Sequence, residues 1–199
     1  IERPPNLTDV KTLCSLMTAC GCSVRQEAHA LILNAKTLKE PQDEEDVRKM
    51  RASVLVLGPL LARLGEARIP LPGGCAIGQR PIDLHVKGLQ KLGAQVVTEG
   101  GLVRAQGRLS AANVYLDFPS VGATENALLC ACGADGVTTI YNAAREPEIV
   151  DLQALLRSMG ARVNGAGGSI ITVEGGAALH GCTHRVIGDR IVCATYLCA

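Results

Sequence analysis

An α/β domain built from three similar βα-rich units is what this sequence predicts, and three observations carry that reading. Segments around Gly21, Gly93 and Gly160, which stand 72 and 67 residues apart, repeat one pattern: an amphipathic helix, a terminating glycine, then a short strand. A second alternating apolar run follows each of them, over 30–33, 102–105 and 169–173. Aromatic residues are only 2% of the chain and Trp is absent, so the core must be Leu, Val, Ile and Ala, as in repetitive α/β layers.

In chain order, the first unit comprises the helix ending at Gly21, a strand near Ser23-Val24 and the run Ala30-Leu31-Ile32-Leu33. Residues 40–46 are acidic and read as a solvated loop that places negative charge near a helix start. Met50, Val54, Leu57, Leu61 and Leu64 recur at spacings of 4, 3, 4 and 3, so one helix runs from 50 to 64 and stops at Gly65. Gly58-Pro59 lies inside it, where a kink is expected. The second unit follows, with its helix ending at Gly93 and the run Leu102-Val103-Arg104-Ala105. A further helix starts near Ser120-Val121-Gly122-Ala123-Thr124, whose small residues leave backbone N–H groups open at a positive helix end. Asn142 to Glu148 reads as a strand-to-helix turn whose charges serve as caps and ion pairs, and it leads into the third unit.

A net charge of +1 gives no case for nucleic acid or an acidic surface as partner. No run of eighteen apolar residues or basic-apolar leader occurs, so a cytosolic location is expected. The nine cysteines lack the paired two-residue spacing of a zinc site, and no metal or cofactor is expected. Eight of them read as reduced thiols inside the core. The beginning at Ile1 and the end at Cys198-Ala199 read as cuts from something longer.

Cys75 is the ninth. It stands in Pro72-Gly73-Gly74-Cys75-Ala76-Ile77-Gly78-Gln79-Arg80-Pro81, where glycines on both sides let the thiol meet a substrate. Arg80 stands five residues on, and a guanidinium binds phosphate in a bidentate way.

Met50-Arg51-Ala52-Ser53, the Pro72–Pro81 loop with Asp83 and His85, Asp117-Phe118-Pro119-Ser120-Val121-Gly122-Ala123-Thr124, and Ala143-Ala144-Arg145-Glu146-Pro147-Glu148-Ile149-Val150-Asp151 together resemble the bacterial UDP-N-acetylglucosamine 1-carboxyvinyltransferases, of the EPSP synthase-like fold. The resemblance runs in order from Ile1 to about Thr195. It implies an inverted α/β barrel-like domain of three βαβαββ-type repeats around a pseudo-threefold axis. Residues 1–187 would be the domain that bears the catalytic loop, and residues 188–199 the start of a crossover into a second domain. That second domain would be a partner in the same enzyme, and the surface it leaves exposed a route to self-association.

The implied reaction transfers enolpyruvyl from phosphoenolpyruvate to the 3′-hydroxyl of UDP-N-acetylglucosamine with release of phosphate, the first committed step of peptidoglycan synthesis. The enol must be protonated at its methylene carbon. By resemblance Cys75 supplies that acid, forms an adduct with the adjacent carbon and is the thiol that an epoxide such as fosfomycin would alkylate. The family pattern places Arg80, Pro81, Ile82, Asp83 and Leu84 on the nucleotide-sugar, with Arg51 and Phe118, Pro119, Ser120, Val121 and Gly122 as further contacts. His85, Arg145 and Glu148 carry structural support. Two departures stand out: Phe118 replaces a lysine found in some members, and Gly188-Asp189-Arg190-Ile191-Val192-Cys193 lacks the glutamate expected at Val192.

Two rivals remain at this point. One is a truncated, non-catalytic UDP-sugar-binding module. The other is a transferase acting on shikimate 3-phosphate, against which the Gly-Gly-Cys loop argues.

Overall fold

The computed structural model describes residues 1–41, 50–72 and 81–199. The first unit holds α1 (Thr8–Ala19), β1 (Ser23–Glu27) and β2 (Ala30–Asn34). In the second, a 3₁₀ turn (Arg51–Val56) runs into α2 (Leu57–Leu64), then β3 (Glu66–Pro70), α3 (Asp83–Lys91), β4 (Gln95–Glu99) and β5 (Leu102–Gln106). The third contains β6 (Asn113–Tyr115), α4 (Val121–Ala131), β7 (Gly136–Tyr141), α5 (Pro147–Ser158), β8 (Arg162–Asn164) and β9 (Ile170–Gly175). A last helix, α6 (Arg190–Cys198), follows.

The repeat seen in the sequence is a repeat of hydrogen bonds. Each of α1, α3 and α5 ends in the same pair of backbone bonds. Gly21, Gly93 and Gly160 donate to Thr18, Gln90 and Arg157 at 2.9–3.0 Å, and the next residue reaches back five positions, to Met17, Leu89 and Leu156. This closure needs a left-handed residue, and the three glycines have φ of +87°, +95° and +97°. In each unit the carbonyl just before that glycine, on Cys20, Leu92 and Met159, then accepts from an amide beyond the hairpin, on Lys39, Ser110 and His180. The capping glycine therefore aims the following hairpin back over its own helix.

The sheets share one order. The second unit pairs as β3-β5-β4 and the third as β6-β7-β9-β8, with β6 and β7 parallel around α4 and the other pairs antiparallel. In the first unit Glu2 bridges antiparallel to Ala30 and parallel to Arg185. Residues 1–3 thus stand beside β2 as β7 stands beside β9. Arg3 and Asn142, the two non-glycine residues of positive φ among those described, occupy equivalent corners after these strands.

Sheets lie outside and helices inside. α4 is buried nearly all round, through Ala123, Thr124, Asn126, Ala127, Leu128, Cys130 and Ala131. It packs against α2, α3 and α5 as well as β7 and β9. A helix apolar on every side needs neighbours on every side, which this inverted arrangement supplies. One hydrophobic cluster runs from Leu16 to Val173.

Two expectations change. The helix over 50–64 is a 3₁₀ turn to Val56 followed by α-helix from Leu57, because Pro59 has no N–H to give the carbonyl four residues back. Met50, Val54, Leu57 and Leu61 are buried as the spacing implies, but Leu64 is exposed. The cysteines are not all in the core: Cys182, Cys193 and Cys198 are exposed and Cys14 half-buried, since 182 follows the last strand and α6 has no buried residue. Residues 190–198 form a helix capped by Asp189, with Tyr196 and Leu197 79% and 82% exposed. Residues 42–46 of the acidic loop lie outside the described residues.

Candidate functional site

Two helix starts and the 3₁₀ turn meet at one end of the second and third units. α3 begins after Ile82, with Asp83 and Leu84 in its first turn, and Ile82 is buried in the core. α4 begins after Ser120, whose hydroxyl accepts from the Ala123 amide at 3.4 Å, and whose carbonyl accepts from the Thr124 amide at 3.0 Å. That is an N-cap, and it leaves the Val121 and Gly122 N–H groups, which lie in the first turn, outside the helix's own ladder. Arg51 opens the 3₁₀ turn and its guanidinium donates to the Pro81 carbonyl at 3.4 Å. Of the residues expected on the nucleotide-sugar, Arg51, Pro81, Ile82, Asp83, Leu84, Ser120, Val121 and Gly122 are thereby brought to neighbouring elements. Phe118 is 65% exposed on the approach to α4, with Pro119 between it and the cap. Cys75 and Arg80, expected to carry the chemistry, lie outside the described residues.

Beneath these segments is a buried polar pair that sequence reasoning did not single out as a pair. Asn126 accepts from the Gly58 N–H at 2.9 Å through Oδ1 and donates from Nδ2 to the Val54 carbonyl at 3.1 Å; Nδ2 also lies 3.2 Å from His85 Nδ1. The Gly58 amide can only donate, so Oδ1 must face it and Nδ2 must face the histidine. His85 Nδ1 is then an acceptor, and the imidazole is neutral. Burial first, and then the Arg51 charge, pull its pKa down to about 4, against a smaller upward pull from Asp83. The ring edge also lies against Gly122, where a Cβ would come within 3.1 Å of Cε1. Gly58 faces the same constraint, since a Cβ there would run into the Asn126 carboxamide.

The rim carries charge of both signs. Lys87 Nζ bonds Asp117 Oδ2 at 2.6 Å beside Phe118, and this bond raises the lysine pKa. This ammonium stands one turn along α3 from Asp83, and no motif in the sequence marks it. Glu125, on the second turn of α4, is held up at about 7, mainly by burial and further by the charge of Glu148. Glu148 itself pairs with Arg190 at 3.0 Å. Among the described residues no group of three or more His, Cys, Asp or Glu could hold a metal ion, and no helix is long and apolar enough to cross a membrane.

The inverted three-unit fold, with two helix starts and the 3₁₀ turn brought together at one end, defines a class. Residues 1–199 match the EPSP synthase (3-phosphoshikimate 1-carboxyvinyltransferase) family, and the chain belongs to it. Within that family it is 50% identical over 204 aligned residues to the UDP-N-acetylglucosamine 1-carboxyvinyltransferase of Granulibacter bethesdensis, covering 100% of this chain and 49% of that protein. The enzyme of the same description from Synechocystis is 48% identical, over 98% of this chain and 46% of its own length. The chain spans about half the length of the curated relatives it matches. Among solved structures, the enolpyruvyl transferase NikO from Streptomyces tendae superposes with a TM-score of 0.85 at 22% identity, over 99% of this chain and 48% of that one. EPSP synthase from Acinetobacter baumannii does so at 0.66 and 22%, over 86% and 40%. At that identity the structures speak to the fold.

Proposed function

We propose that this chain is the catalytic-loop domain, residues 1–187, of an enzyme that transfers enolpyruvyl from phosphoenolpyruvate to the 3′-hydroxyl of UDP-N-acetylglucosamine, with 188–199 leading toward a second domain. The observation that carries the reading is the 50% identity to relatives of that description across the whole chain. The meeting of Arg51, the Pro81–Leu84 segment and the Ser120–Gly122 helix start at one end of the fold supports it.

In this reading the open N–H groups at the start of α4 and the Arg51 guanidinium receive the anionic diphosphate, since a helix N-terminus and a fixed cation both favour negative charge. Cys75 gives its proton to the methylene carbon of phosphoenolpyruvate while the sugar oxygen bonds the adjacent carbon and its own proton passes to a base. Expulsion of phosphate from the resulting tetrahedral centre, with loss of a proton from the methyl group, restores the enol ether. Arg80 balances the phosphate charge. The product belongs to the start of peptidoglycan synthesis, in the cytoplasm.

Calorimetric titration of UDP-N-acetylglucosamine into the chain tests this. Saturable binding that weakens about tenfold in Arg51→Ala is expected. Absence of binding by the unaltered chain would overturn it. Peptide mapping after fosfomycin treatment examines the thiol: alkylation at Cys75 ahead of the exposed Cys182, Cys193 and Cys198 is expected, and even labelling would remove Cys75 from its role.

A further inference from the structure

The three segments that meet at the candidate site belong to parts of the chain far apart in sequence. Arg51 stands on the 3₁₀ turn, Asp83 and Leu84 on α3, and Ser120 to Gly122 at the head of α4. Beneath them, one carboxamide and one imidazole touch every one of these elements. Asn126 holds the 3₁₀ turn through the Val54 carbonyl and the start of α2 through the Gly58 amide. His85 projects from α3, next in sequence to Leu84, and meets both Asn126 and the backbone of Gly122. Both side chains are buried, and no buried side-chain nitrogen or oxygen among the described residues lacks a partner.

We propose that the His85–Asn126 pair is the positioning element of the nucleotide-sugar site, fixing the separation of Arg51, the start of α3 and the start of α4 as one rigid unit. This rests on the reading of those segments as the nucleotide-sugar site.

The reasoning is geometric. Asn126 makes three bonds that demand a fixed orientation of its carboxamide: an acceptor toward Gly58 and two donors toward Val54 and His85. A neutral His85 satisfies the last of these with Nδ1. Its ring then fills the space that only a glycine at 122 leaves open. A shift of any one element breaks a buried hydrogen bond in another, and such a bond is costly to leave unmade. His85 is 7% exposed and Asn126 fully buried, so both act through the segments they hold.

The test uses the 199-residue chain. Nitrogen NMR of the His85 ring is expected to show the tautomer protonated on Nε2, with Nδ1 unprotonated near neutral pH. A proton on Nδ1 would overturn the proposal without any variant being made. In His85→Leu, backbone amide exchange is expected to speed up together over 51–56, 83–86 and 121–126, while β7, β8 and β9 keep their protection. Affinity for UDP-N-acetylglucosamine should fall about tenfold, and His85→Gln, which restores an acceptor, should recover it to within about threefold. Faster exchange confined to α3 would overturn the proposal. The exchange readout needs no ligand. Failure of the unaltered chain to bind the nucleotide-sugar would therefore sink the ligand assignment and leave the coupling of the three segments to be decided by exchange alone.

Discussion

The first and third units share one local design and differ in what surrounds it. Aligned on Gly21 and Gly160, Ile1 and Val10 stand where Ile140 and Ile149 stand, and by strand register Leu31 stands where Ile171 does. The three third-unit residues are fully buried beneath α4, whereas Ile1 and Val10 are only half-buried. Val10, Cys14 and Leu31 instead line a cavity of about 1290 Å³ between residues 2–7, α1 and the β1–β2 hairpin. The second unit sides with the third, with Ile69 and Val103 fully buried and Ile82 nearly so. The shared glycine closure sets the path of the chain, but packing density, and with it stability, depends on which helices stand inside the sheet.

The largest effects should separate the units by core truncation. Ile171→Ala is expected to cost about 3 kcal/mol in urea unfolding, because α4 and α5 cannot collapse into the space left. Leu31→Ala, already bordered by a cavity, should cost less than half as much. Equal losses would mean that the inner face of the first unit is packed as tightly as that of the third.

Next come the capping glycines. Alanine at any of them must adopt positive φ, a cost of about 1 kcal/mol. At Gly21 the added Cβ would also meet the Thr37 backbone carbonyl, whereas at Gly160 it meets the exposed His180 side chain, which can turn away. Gly21→Ala should therefore lose about 2 kcal/mol and Gly160→Ala about 1. The reverse order would show that the first hairpin yields more readily than the third.

The smallest effects are pH slopes in the tightly packed half. His85 falls from an ordinary 6.5 to about 4, so the unfolded chain binds its proton first, and stability is lost as pH drops from 6.5 through 4. Glu125 rises from 4.5 to about 7 through burial and the charge of Glu148, so the folded chain holds its proton longer, and stability is lost as pH rises from 4.5 through 7. Between pH 5.5 and 7.5 the two oppose each other, each on the order of 1 kcal/mol. Unfolding midpoints across that range should tilt toward alkaline stability in Glu125→Gln and toward acid stability in His85→Gln. An unchanged slope in either variant would remove that group from the balance.

Much of this was legible in the chain itself, for a local reason. Helix, glycine and strand are decided within about twenty residues by hydrophobic spacing and by the one residue type that tolerates left-handed backbone, so all three closures and the strands after them follow from the sequence. The start of α4 at Ser120 is as local, since its cap lies three residues from the amide it serves. The family, too, was readable, because several uncommon strings occur in order along the chain.

What the tertiary structure alone decided is non-local. Asn126 finds its partners 41, 68 and 72 residues away, and no spacing in the sequence marks it. The exposure of Cys193 and Cys198 was equally hidden, since α6 reads as apolar and only its having no buried residue sets it apart. Backbone conformation answers to neighbours in sequence. Burial, and every pKa shift and buried hydrogen bond that burial makes possible, answers to neighbours in space.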